Sequence, residues 1–140
     1  MAAVAVAAAA LAASASADAV YHTARIPLQP LAGAPGDGAV VNIHTSGPTV
    51  YAHELYRLHG AAPGRYRVTI HLYASSDCSG EPFLSLGTAT FDTNRIGNGE
   101  TDAKFTPADI DGLGGSTLGA VWTVEGPASY ATACSVIALD

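Results

Sequence analysis

The chain has 140 residues and a formal net charge of −6 at pH 7, with 12 acidic and 6 basic residues. A length of this order suits a single domain. Because the basic residues are few and form no cluster, the composition argues against nucleic-acid binding and against electrostatic docking on an anionic membrane. The composition does not indicate which partner the protein has.

The first 19 residues, MAAVAVAAAALAASASADA, predict a secretory signal peptide. Their apolar run ends in small residues that offer two A-x-A cleavage sites, after Ala17 and after Ala19. No Lys or Arg precedes Arg25, which leaves an alanine-rich tail or a truncated gene start as the alternative. The run is shorter than the ~20 residues of a membrane-spanning helix. We therefore expect a secreted protein, extracellular or periplasmic, whose mature domain covers residues 20–140 and has no membrane span.

Eight segments of the mature chain have the features of β-strands, and turn residues separate them. They are residues 20–28, 39–45, 50–58, 66–73, 83–91, 101–106, 118–126 and 129–139. No segment after the leader has a sustained helical period. The sequence therefore predicts an all-β, single-domain fold, an antiparallel Greek-key sandwich or flattened barrel of about eight strands. An immunoglobulin-like sandwich is the alternative.

The direction of the side chains is clearest in the strand over residues 66–73, which alternates between apolar and polar positions. The side chains expected to face inward are Tyr66, Val68, Ile70 and Leu72, and those expected to face outward are Arg67, Thr69, His71 and Tyr73. In the second strand, Ala39, Val41 and Ile43 share one face. Most aromatic residues are expected in the core or in cross-strand pairs.

The only two cysteines of the chain are Cys78 and Cys134. Two cysteines after a candidate signal peptide indicate one disulfide in an oxidising compartment, and two separate buried thiols are the alternative. The chain-entropy model assigns about 4 kcal/mol of stability to a bridge between such distant positions.

Both cysteine-bearing segments contain motifs with a characteristic order. The turn GAAPG (60–64) leads into the strand RVTIH (67–71) and then to Cys78, which resembles the G-L-x-P-G turn, the G-F-H-V-H strand and the loop cysteine of the Cu,Zn superoxide dismutase family. The segment ACSVIA (133–138) is similar to the family's last strand, A-C-G-V-I-G. The resemblance implies a superoxide-dismutase-like sandwich in which Cys78 and Cys134 form the intrasubunit disulfide.

The resemblance also implies a copper and zinc site, and here the chain departs from the family. The first two copper-binding histidines fall on Thr69 and His71, so one imidazole is absent. His71 is the last histidine of the sequence, so the later copper and zinc histidines of the family have no counterpart. The arginine that guides superoxide falls on Ala131. Because dismutation needs a redox-active copper held by several imidazoles, we expect no dismutase activity and no bound cofactor.

His71 remains as a vestigial candidate metal ligand. It belongs either to a solvated strand face or to a weak site completed by a neighbouring-strand histidine such as His44 or His53. Cleavage after Ala19 would also place His22 third in the mature chain, where it could form an amino-terminal Cu(II) or Ni(II) site. The sequence thus predicts a secreted, non-catalytic β-sandwich that acts as a binding or structural module of unknown partner. A copper- or zinc-binding protein, or an oxidoreductase with a rebuilt metal site, is the alternative.

Overall fold

The computed structural model describes residues 20–46, 51–105 and 116–139. The expected signal peptide, residues 1–19, lies outside the described residues. The described part of the chain forms nine β-strands. They are β1 (Val20–Pro30), β2 (Asp37–Ser46), β3 (Ala52–His59), β4 (Arg65–Tyr73), β5 (Leu84–Asp92), β6 (Gly99–Phe105), β7 (Thr117–Glu125), β8 (Ser129–Ala131) and β9 (Ser135–Ala138). No helix that could span a membrane occurs in these ranges.

The strands pair antiparallel in the order β5-β4-β7-β8-β1-β2-β3-β6, and β9 also pairs with β7. We call β6-β3-β2-β1 the first sheet and β5-β4-β7, with β8 and β9, the second sheet. Strand β1 joins them, because its residues Gln29 and Pro30 pair with β8. Strand β7 returns to lie beside β4, which is a Greek-key connection. Since no ladder joins β5 to β6 in the described ranges, the fold is a nearly closed flattened barrel, and the predicted fold class is confirmed.

The predicted last strand is divided into β8 and β9, which lie end to end along the same edge of β7. The interruption is at Thr132. Its N–H donates to the carbonyl of Trp122 at 2.9 Å, and its hydroxyl Oγ1 accepts the N–H of Trp122 at 3.0 Å. A side-chain oxygen therefore replaces a backbone carbonyl in the ladder, and the regular pairing resumes at Ser135.

The core lies between the two sheets and is built from alternate residues of the strands. The inward face predicted for β4 is confirmed, because Tyr66, Val68, Ile70 and Leu72 are all buried. The largest fully buried side chains are aromatic: Trp122, Tyr56, Tyr66 and Tyr130. The expectation that most aromatic residues lie in the core is thus met for these four.

Strand β2 differs from the pattern of its apolar residues. Val41 and Ile43 are only half-buried, on the outer face of the first sheet, whereas Val40, Asn42 and His44 are buried between the sheets. Both faces of β2 carry apolar residues, so alternation alone does not distinguish them. Asn42 and His44 can point inward because each forms hydrogen bonds with other groups in the interior.

Candidate functional site

The disulfide connects two loops at one end of the second sheet, and we call this region the disulfide corner. Cys78, in the loop after β4, is bonded to Cys134, between β8 and β9, with their Cα atoms 5.9 Å apart. The predicted bridge is confirmed. Gly119 of β7 lies beneath it, and a Cβ at that position would come within 2.4 Å of the Ser75 carbonyl oxygen and 2.7 Å of the Cys78 sulfur. The corner therefore requires glycine at this point of β7.

His71 lies on the outer face of the second sheet, as predicted. Its Nδ1 is 2.8 Å from the Ser85 hydroxyl and its Nε2 is 3.1 Å from the Thr123 hydroxyl. His44 instead faces the interior, and His53 lies on the first sheet, 3.0 Å from the Asp102 carboxylate. The structure thus does not bring either histidine to His71.

No group of three or more His, Cys, Asp or Glu side chains that could hold a metal ion occurs among the described residues. His22 stacks on His44 with the ring centroids 5.0 Å apart, and its Nε2 is 3.0 Å from the Ser46 hydroxyl. An amino-terminal metal site at His22 depends on the cleavage point and stays a prediction.

A glutamate lies in the core, at a position that the sequence interpretation did not single out. The side chain of Glu54, on β3, is only 2% exposed. Its Oε2 accepts hydrogen bonds from the Tyr56 hydroxyl at 2.6 Å and from the Trp122 indole N–H at 2.5 Å. Its Oε1 accepts one from the Asn42 amide at 3.2 Å. Such partners are what a buried carboxyl group requires, because an unpartnered one would be strongly destabilising.

The hydrogen bonds continue from Glu54 towards the end of the barrel. The other side of the Asn42 amide, its Oδ1, is 2.6 Å from Nδ1 of His44. Nε2 of His44 is 3.0 Å from the carbonyl oxygen of Ala138 in β9. We call Glu54, Asn42 and His44 the buried triad. It connects β3, β2 and β9, and therefore links the first sheet to the second.

Burial disfavours charge on both titratable members of the triad. It raises the pKa of Glu54, and the hydrogen bonds from Tyr56, Trp122 and Asn42 oppose that effect. It lowers the pKa of His44, and the hydrogen bond to the Ala138 carbonyl opposes that effect. A cavity of about 50 Å³ lies beside the triad and has otherwise apolar walls, which include Leu72 and Leu118. The triad is thus a polar group embedded in an apolar interior.

A broad concave surface lies on the outer face of the first sheet. It is a groove of about 550 Å³ that crosses β1, β2, β3 and β6. Its lining combines an apolar floor with charged side chains of both signs, namely Ala39, Val41 and Leu55 with Arg25, Arg57, Glu100 and Asp102. Leu55, which pairs with Val41 of β2 and Asp102 of β6, is 42% exposed. We call this surface the first-sheet groove.

The sequence contains a signal that could have revealed Glu54. In β3, Glu54 has the same side-chain direction as Tyr56 and Leu58, both fully buried. A carboxylate in phase with two large inward residues indicates a buried polar site. Nothing local points to Asn42 as its partner, because the two residues meet only through the register of β2 and β3.

Comparison with protein-family models, with curated proteins and with solved structures finds no match to this chain.

Proposed function

We propose that this chain is a secreted, non-catalytic β-sandwich, similar to Cu,Zn superoxide dismutase but without its metal site, which acts as a binding module for a protein partner. The observation that carries the proposal is the first-sheet groove. An apolar centre surrounded by charged side chains is the arrangement found in protein–protein interfaces. Leu55 forms this apolar centre together with Ala39 and Val41, so the exposed apolar surface is continuous across β2 and β3.

Two further features support a rigid module. The disulfide joins the loop after β4 to the segment before β9, and such bonds form in oxidising compartments. Binding residues are commonly held by a scaffold that does not rearrange. In the first-sheet groove the side chains stand on four paired strands, so their relative positions are set by the ladder.

The position of His71 supports the absence of a dismutase site. The resemblance assigns the first two copper ligands to Thr69 and His71. Both are on the outer face of β4, and the two ring nitrogens of His71 are within hydrogen-bond distance of Ser85 and Thr123. A copper site there would have to replace these contacts and recruit further imidazoles.

Elemental analysis of protein purified from its native compartment, without a metal-affinity tag, tests the metal part of the proposal. We expect substoichiometric copper and zinc and no superoxide dismutase activity. Stoichiometric copper or zinc would overturn this part and favour the alternative, a metal-binding protein or an oxidoreductase with a rebuilt site.

Site-specific photo-crosslinking tests the binding part. A photoreactive residue at Leu55, in the first-sheet groove, should yield a crosslinked protein adduct under the conditions of secretion. The matched control is Ile96, which is 71% exposed on the turn between β5 and β6 and lies outside the groove. Equal yields at the two positions, or no adduct at position 55, would refute a partner-binding role for this groove.

A further inference from the structure

The buried triad restricts the number of protons that its members can hold. In the orientation described above, the Asn42 amide nitrogen faces Glu54 and its oxygen faces His44. Each of the three contacts along the triad then joins a donor to an acceptor if Glu54 is a carboxylate and His44 is an imidazolium, because both contacts of His44 are oxygen acceptors. This form is an ion pair bridged by an amide, with a net charge of zero.

A second form of the triad is also complete. Turning the Asn42 amide by half a revolution exchanges its oxygen and nitrogen in the same space. A neutral Glu54 then donates from Oε1 to the amide oxygen, the amide nitrogen donates to Nδ1 of His44, and Nε2–H donates to the Ala138 carbonyl. This form also has zero net charge and contains the same number of protons, so the two forms are tautomers.

Adding or removing a proton breaks one of these contacts. With one proton more, Glu54 and His44 would both need the single amide oxygen of Asn42. With one proton fewer, neutral His44 has one N–H for two acceptors, so either Asn42 or Ala138 is left facing a bare ring nitrogen. In each case a buried polar contact is lost and the buried unit acquires a net charge, both of which are unfavourable.

We propose that Glu54 and His44 share one proton through Asn42 from mildly acidic to mildly alkaline pH, and that the buried triad, which joins β2, β3 and β9, keeps all of its contacts only while it holds this one proton. The titratable groups that face the triad in the described residues are His22 of β1, stacked on His44, and Tyr56 of β3, bonded to Glu54. The elements packed on its other side present uncharged side chains: Leu72, Leu86, Phe105, Leu118 and Ile137 around the cavity, and Trp122 at Glu54.

A folded triad that holds one proton gives the stability of the protein a defined pH dependence. In the unfolded chain, Glu54 and His44 titrate near their ordinary values of 4.5 and 6.5. The unfolded pair therefore binds two protons below pH 4.5, one between these values and none above pH 6.5, whereas the folded triad keeps one. Its contribution to stability is thus level between the two values. Below pH 4.5 and above pH 6.5, this contribution lowers the folding equilibrium constant about tenfold per pH unit.

The substitution Glu54→Gln isolates this behaviour. The introduced amide can donate to Asn42 and accept from Tyr56 and Trp122, so the contacts of the neutral form are retained without the carboxyl proton. The contribution of this site to the variant's stability should not change with pH above pH 6.5, and it should decrease below pH 6.5 because His44 is protonated in the unfolded chain. The ratio of the folding equilibrium constants, variant to wild type, is therefore expected to rise about tenfold per pH unit between roughly pH 5 and pH 8.

The measurement is urea unfolding of both proteins at several pH values, in which the contributions of titratable groups away from the triad cancel in the ratio. The matched control is Glu125→Gln, an exposed position on β7 away from the triad, whose ratio should not change with pH. A ratio for Glu54→Gln that is also independent of pH would overturn the proposal.

A second measurement decides the case even if the variant does not fold. Carbon-13 and nitrogen-15 NMR of the wild-type protein at pH 7 reports the protonation of the Glu54 carboxyl group and of the two ring nitrogens of His44. A carboxylic acid with neutral His44, or a carboxylate with an imidazolium, supports the shared proton. Both groups protonated, or neither, would overturn it.

Discussion

Removal of the disulfide between Cys78 and Cys134 should lower the free energy of unfolding by about 4 kcal/mol. The two cysteines are 56 residues apart in the sequence, and the entropy of closing a loop of that length in the unfolded chain accounts for this value. Domains of this size have a total stability of about 5–15 kcal/mol, so the loss would be a quarter of the total or more. The corresponding decrease in Tm is roughly 15 °C.

The test is the double substitution Cys78→Ser and Cys134→Ser, because a single substitution would leave a reactive thiol. Urea unfolding can be followed by the fluorescence of Trp122, the only tryptophan of the chain and a fully buried one. We expect the midpoint to fall by about 2 M. Wild-type protein treated with reductant should give the same curve as the variant. A difference of less than about 1 kcal/mol between oxidised and reduced protein would contradict the loop-closure argument.

Three further substitutions give expected outcomes, each measured by urea unfolding. Gly119→Ala places a methyl group against the Cys78 sulfur and should lower the free energy of unfolding by about 1–3 kcal/mol. A decrease below about 0.5 kcal/mol would mean that the loop around Cys78 can move to accommodate the methyl group. Tyr56→Phe removes one of the donors to Glu54 and should cost about 1 kcal/mol, whereas an unchanged stability would mean that this hydroxyl does not stabilise the buried carboxyl group. Arg57→Ala removes an exposed ion pair and should cost less than about 1 kcal/mol. A larger loss would show that this arginine supports the fold and is unsuitable for testing the first-sheet groove separately.

The strands and the disulfide follow from local and compositional features of the sequence. In β4 the apolar residues recur at every second position, and the structure buries all four of them, because one face of this strand meets only the core. The cysteines could be paired because the chain has only two. Turn residues separate the segments, so seven of the strands and the region of the last one were also accessible from the sequence.

The interior polar contacts were not accessible, for a different reason. Glu54 and Asn42 are 12 residues apart, and His44 and Ala138 are 94 apart, so each contact depends on strand pairing and not on local sequence. The division of the last strand at Thr132 likewise depends on its partner Trp122, which supplies the hydrogen-bonding groups across the ladder. The alternation of residues within one strand does not show which groups on other strands will be their hydrogen-bonding partners.

The triad also accounts for how β2 is oriented. Its apolar residues lie on both faces, so a slip of one position would still bury a largely apolar set, with Val41 and Ile43 replacing Val40. That slip would turn Asn42 to the outer face and leave the carboxyl group of Glu54 in the core without its amide partner, while His44 would lose its contact with Ala138. Glu54 would keep the bonds from Tyr56 and Trp122, but its Oε1 and the Ala138 carbonyl would lose their partners, and the loss of these buried hydrogen bonds disfavours the slip. The polar residues that weaken the apolar pattern of β2 are therefore the ones that specify which face of the strand enters the core.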